Sequence, residues 1–184
     1  DKDSWARKEI VECFRGKHAG HSQLDEYIRA SNLNQSWRNV FEAIAEFEKH
    51  GSFDAGNFVY HRSWGVGRIA SVKNDEITID FAKNRGHTMS LKMGVSSLQT
   101  LSKDHISVLR AIWKKEKLYD KVKSDITWAL KTIIKSYDNN CDLKKVKAEL
   151  VPSILTANEW TSWSTKARKI LQEDPSFGVN PTNI

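Results

Sequence analysis

The chain has 184 residues, of which 39% are hydrophobic and 28% charged, a balance that supports a buried core and excludes an intrinsically disordered chain. No stretch approaches the roughly 18 consecutive apolar residues of a membrane span, so no membrane partner is expected. The formal net charge is +6, concentrated late: residues 1–53 sum to −1, 54–101 to +2 and 102–174 to +5.

The first helical pattern covers residues 4–15, with Trp5, Ile10 or Val11, and Phe14 on one face and Gly16 as the expected C-cap. A turn-prone GKHAGHS follows. A short helix is expected over 22–30, capped by Ser22 with Asp25 in its first turn. Trp37, Val40, Phe41, Ile44 and Phe47 then form a ladder at helical spacing, closed by Gly51.

At Asp54 the period changes. Residues 56–62 and 66–73 carry strand-type residues, Asn74-Asp75 signals a turn, and 76–81 alternates, with Ile77, Ile79 and Phe81 on one face. A second turn is expected over 82–87, then a strand over 88–93 with Met89, Leu91 and Met93 alternating. Several short strands within fifty residues predict a small SH3-like or Tudor-like β-barrel.

From Ser102 the helical period returns. Ile106, Leu109, Ile112 and Trp113 make one ladder; Leu118, Val122, Ile126, Ala129, Leu130 and Ile133 make another. Residues 138–142 break the chain, and 143–150 form a short helix before Pro152. Thr156-Ala-Asn-Glu159 matches a capping box, with Leu155 placed for the hydrophobic staple and Trp160, Trp163, Ala167, Ile170 and Leu171 on one face beyond it. The fold class expected is α+β: helices over 1–53, a β-barrel module over 54–101, helices over 102–174 and a linker over 175–184.

Catalytic constellations are missing from this sequence. Gly65-Val-Gly67 lacks the third glycine and following helix of a dinucleotide fingerprint. The histidines (18, 21, 50, 61, 87 and 105) are scattered and read as surface residues. His18 and His21 are spaced as helical neighbours but have no third ligand nearby. Cys13 and Cys141 lack ligand partners and read as free thiols of a cytoplasmic protein. The expectation is a non-enzyme with no metal and no cofactor. The chain begins at Asp1 with no signal-peptide pattern after it, and reads as processed or as a piece of something longer.

Two stretches resemble known families. Gly56-Asn-Phe-Val-Tyr-His-Arg-Ser-Trp-Gly-Val-Gly-Arg-Ile69, followed by Ile77-Thr-Ile-Asp-Phe81 and Ser90-Leu-Lys-Met93, resembles the RNA-polymerase-interacting module of CarD-type regulators and transcription-repair coupling factors. Trp64 stands where that family usually has His. Residues 155–177, with Trp160, Trp163 and Ala167-Arg168-Lys169, look like the amino-terminal extension of long Gre-type transcription elongation factors of spirochaetes and chlamydiae. The family's cleavage-stimulating activity resides in an acidic-tipped coiled coil, which this sequence lacks.

The resemblance implies a non-catalytic accessory domain that docks on RNA polymerase through the small barrel. The expected contacts are Tyr60, Arg62, Trp64 and Arg68, in one short segment around a glycine-rich turn. An alternative is direct nucleic-acid contact through Lys114, Lys117 and Lys121, which share a helix face. A third reading is a structural spacer.

Overall fold

The structure, a computed structural model, describes residues 2–20, 23–73 and 75–178. Ser22 and His21, expected as a cap and as half of a histidine pair, lie outside the described residues, as do Asn74 and 179–184. The chain divides into two compact units, residues 1–100 and 101–184.

In the first unit, α1 (Lys2–Lys17), α2 (Leu24–Ala30) and α3 (Val40–Gly51) precede the strands β1 (Phe58–His61), β2 (Gly65–Lys73), β3 (Glu76–Phe81) and β4 (Asn84–Ser90). A helix α4 (Leu91–Ser97) and a short strand β5 (Gln99–Leu101) follow. The sheet order is β4-β3-β2-β1-β5, with the first four strands joined as antiparallel neighbours. It is small and flanked by helices, and its edge strands β4 and β5 are not paired to each other, so hydrogen bonding does not close it into a barrel.

The helices and the sheet share one core. Val11, Phe14, Tyr27, Leu33, Ala43 and Phe47 pack in the same cluster as Phe53, Val59, Ile69, Ile77, Ile79 and Phe81. Arg7, on α1, is 4% exposed and donates through Nη1 to the Leu33 carbonyl at 3.3 Å and through Nη2 to that of Arg38. A charged hydrogen bond thus ties α1 to the segment between α2 and α3.

Several local expectations are revised. The helix α1 runs through Gly16 rather than stopping at it. Trp5 on α1 is 67% exposed; of the ladder expected for α3, Phe47 is buried and Ile44 packs against the core, while Trp37 and Phe41 are 70% and 78% exposed, and Ala43 and His50 complete the buried stripe. Asn39 caps α3 by accepting from the Phe41 and Glu42 amides, which places Trp37 ahead of the helix. The strand expected over 88–93 ends at Ser90, whose hydroxyl accepts the Met93 N–H at 3.2 Å and starts α4. Leu91 is buried on that helix and Met93 is 57% exposed.

The second unit is helical in its described part: α5 (Ile106–Ile112), α6 (Lys115–Ser124), α7 (Ile126–Ser136), α8 (Leu143–Leu150), α9 (Ala157–Glu173) and a 3-10 turn at Pro175–Phe177. The long ladder from Leu118 to Ile133 is split at Asp125, whose carboxylate accepts the Trp128 N–H at 2.9 Å and so ends α6 and caps α7. The capping box is present: Thr156 Oγ1 accepts the Glu159 amide at 3.3 Å, and Glu159 accepts the Thr156 amide at 3.0 Å. Trp163 is buried and its indole N–H donates to the Val122 carbonyl at 2.9 Å. Leu118, Val122, Leu130, Ile133, Leu150, Trp163 and Leu171 belong to this unit's own core, against which Phe177 also packs.

Candidate binding surfaces

The four residues around the Gly-rich turn do not form one patch. Cross-strand register places Phe58 opposite Arg68 and Tyr60 opposite Val66, and Arg68 in turn opposite Asp80. These residues share one sheet face, because paired residues project to the same side. Val59, Gly67, Ile69, Ile79 and Phe81 take the opposite, core-facing side. Tyr60 is 41% exposed and Arg68 is exposed, so the outward face presents a phenol ring and a guanidinium on adjacent strands. Arg62 is exposed in the connecting turn beside them.

Trp64 turns the other way. Its indole is half-buried, packs against the first unit's core and stacks on His61 with ring centroids 4.1 Å apart and planes 19° from parallel. Phe81 lies 5.3 Å from it and His87 meets it edge-on at 4.3 Å. Both histidine rings are held locally: His61 Nδ1 accepts the Ser63 N–H at 3.1 Å, and His87 Nδ1 lies 3.4 Å from the Asn84 amide nitrogen. Trp64 therefore closes a ring cluster at the end of the core.

The turn owes its shape to two glycines. Gly65 has φ +72°, a left-handed conformation that a side chain disfavours. Gly67 sits opposite Phe81, and a Cβ there would lie 2.6 Å from the Phe81 ring and 2.7 Å from Ile79 Cγ2. The missing side chain is what lets the Phe81 ring approach β2 this closely.

In the second unit, Lys114, Lys117 and Lys121 are set on the start and outer side of α6. Lys114 occupies the N-cap position and is exposed. Lys117 Nζ lies 4.3 Å from the centre of the Trp113 ring, and Lys121 Nζ lies 5.4 Å from that of Trp128. Lys121 also pairs with Asp125 at 2.8 Å, which leaves Lys117 and Lys114 as the more available charges of the three. The two tryptophans are themselves parallel, with centroids 5.8 Å apart and planes 7° from parallel. This tryptophan pair was not expected from spacing, since Trp113 follows the end of α5 while Trp128 lies in α7, fifteen residues on.

Among the described residues two histidines are buried, against the expectation of surface positions. His50 and His105 are each 8% exposed. His105 caps α5, its Nδ1 accepting the Ser107 N–H at 3.1 Å, and burial holds its pKa below the ordinary value. Glu159, bonded to Tyr119, the Thr156 amide and Lys123, is held down at about 2. Cys13 and Cys141 are both free, and burial raises the Cys141 thiol. Among the described residues no three His, Cys, Asp or Glu side chains gather as a metal site, and no helix is long and apolar enough to cross a membrane.

Residues 107–184 match the family described as GRAD helix-turn-helix domain, and residues 53–91 match one described as Protein of unknown function (DUF3553). Across its whole length the chain is 66% identical to a protein of Treponema pallidum (strain Nichols) named "Putative GreA-associated domains protein", of which it spans 28%. Over 177 residues, 96% of the chain, it is 42% identical to "Transcription elongation factor GreA" of Borreliella burgdorferi, of which it spans 20%. No solved structure matches the chain. The resemblance to long Gre-type factors is thus borne out along the chain, which spans only about a quarter of the curated relatives it matches.

Proposed function

We propose that this chain is a non-catalytic accessory module of a Gre-type transcription elongation factor, working in the cytoplasm, and that its first unit docks on RNA polymerase through the outward face of the sheet. The similarity over 96% of the chain to a protein named as a Gre elongation factor, of whose length it spans 20%, supports the accessory role. The observation that supports the docking surface is that an exposed aromatic, Tyr60, and the exposed Arg68 lie on the same face of adjacent strands, diagonal to each other in the register, with the exposed Arg62 in the turn between those strands. Tyrosine and arginine are the residue types that most often anchor protein interfaces. The likeness of residues 56–93 to CarD-type modules adds the nature of the partner. In this reading Trp64 acts as the support of the turn that carries Arg62. Retention of purified RNA polymerase by the immobilised chain, lost when Tyr60 and Arg68 are both changed to Ala, is the test.

A second reading, nucleic-acid contact by the second unit, is favoured by the match to a helix-turn-helix family and by the exposed Lys114 and Lys117 at the start of α6. The two readings place their contacts on different units and are compatible.

A further inference from the structure

A groove in the second unit has indole walls and lysines at its edge. Its lining includes Trp113, Trp128, Thr132, Lys131 and Lys135, and its volume is about 330 Å³. That is near the lower end of ligand-binding clefts, roughly 300–1,000 Å³. Trp113 and Trp128 are both half-buried, pack against the core as a parallel pair and line the groove with the parts of their rings left uncovered. Lys131 and Lys135 are exposed on α7 one helical turn apart, and that helix, Ile126–Ser136, contains no acidic residue, although Lys131 Nζ also lies 5.4 Å from the centre of the Phe177 ring and acts on the Asp174 carboxylate. The lining contains one carboxylate, Asp104. Lys117, over the Trp113 ring, adds a further positive charge beside the groove.

Flat aromatic surfaces bounded by lysines suit a ligand that alternates flat rings with anionic groups. We propose that this groove binds single-stranded nucleic acid, with a base against the indoles of Trp113 and Trp128 and the adjoining phosphates on Lys131 and Lys135. Duplex nucleic acid keeps its bases stacked inside and offers the groove only its backbone, so the indole walls favour a single strand. The inference rests on the second reading above and narrows it, moving the contact from the α6 lysines to a site between α5 and α7.

The test is fluorescence anisotropy with the full chain and four labelled probes: oligo(U), oligo(dT), and an RNA and a DNA duplex of the same length. Binding of oligo(U) or oligo(dT) with quenching of tryptophan emission is expected, and the ratio between them tells RNA from DNA. Lys131→Glu with Lys135→Glu should weaken single-strand binding about tenfold or more, and loss of two phosphate contacts should flatten the log–log salt slope by about 1.4. Trp128→Phe, which keeps a ring in the core, should weaken binding with a smaller change in that slope. Circular dichroism confirms that both variants fold. Duplex binding equal to or tighter than single-strand binding, lost on Lys114→Ala with Lys117→Ala but not on the α7 reversals, would overturn this inference and leave the second reading standing. No binding of any probe at about 50 mM salt would remove both.

Discussion

The indole of Trp64 lies flat on the imidazole of His61, its centroid 4.1 Å away, and the pair closes the end of a core that also holds Phe81. A residue in a turn is thus a structural support, and its neighbours Tyr60 and Arg68 are left exposed on the outward sheet face. Truncating Trp64 should therefore cost stability. Trp64→Ala is expected to destabilise the first unit by about 2 kcal/mol, less than the ~3–5 kcal/mol of a fully buried aromatic. Trp64→Phe should recover most of that loss. Chemical denaturation followed by circular dichroism measures both, and a neutral Trp64→Ala would contradict the packing role.

Gly67 and Phe81 cannot both keep their positions if Gly67 gains a side chain, because a Cβ would stand 2.6 Å from the ring. Gly67→Ala should destabilise by about 1–3 kcal/mol, the usual range for an overpacked core. Phe81→Leu placed in the Gly67→Ala background should cost less than it does alone, since the smaller side chain relieves the clash. A double-mutant cycle reads that coupling. Additive effects would show that the glycine is needed for its backbone alone.

His105 gives the second unit a dependence on pH. Burial is the largest influence on its ring and lowers the pKa in the fold, with Glu149 pulling the other way. The neutral ring is thus the form that fits, accepting the Ser107 N–H through Nδ1. Its contribution is fully present above the unfolded value, about 6.5, and is lost as pH falls through the lower folded value. The melting temperature of this unit should drop from pH 7 to pH 5. His105→Asn, which caps a helix without titrating, should show a smaller drop. An equal drop in the variant would assign the effect to other groups.

Some of this architecture was readable from spacing alone. The alternation of Ile77, Ile79 and Phe81 buries all three, and the Thr156 and Glu159 pair makes both bonds of its box. Those features are local, so a short window contains their causes. Met89, Leu91 and Met93 show where the window fails: three apolar residues two apart fit a strand, and the Ser90 hydroxyl decides in favour of a helix. Asp125 acts likewise, breaking a continuous apolar ladder into two helices through one capping bond. The exposure of Phe41 has a tertiary cause, because the stripe of α3 that faces the core is set by where Phe14 and the sheet lie, whereas Trp37 lies ahead of the helix that Asn39 caps. For the candidate contacts, residue type pointed to Tyr60, Arg62, Trp64 and Arg68 together. Only the fold separates them, through the ring contacts of Trp64 with His61, Phe81 and His87 and through the register that puts Tyr60 and Arg68 on the outward face.

The claim that the outward sheet face docks on RNA polymerase is tested most directly by retention of purified, nuclease-treated polymerase on the immobilised chain and its variants. Tyr60→Ala with Arg68→Ala should weaken retention about tenfold or more, as expected for two central interface anchors, with an unchanged circular dichroism spectrum. Lys114→Ala with Lys117→Ala should leave it within about twofold, since rim charges contribute little. Full retention by the Tyr60 and Arg68 variant, or loss confined to the lysine variant, would contradict the account.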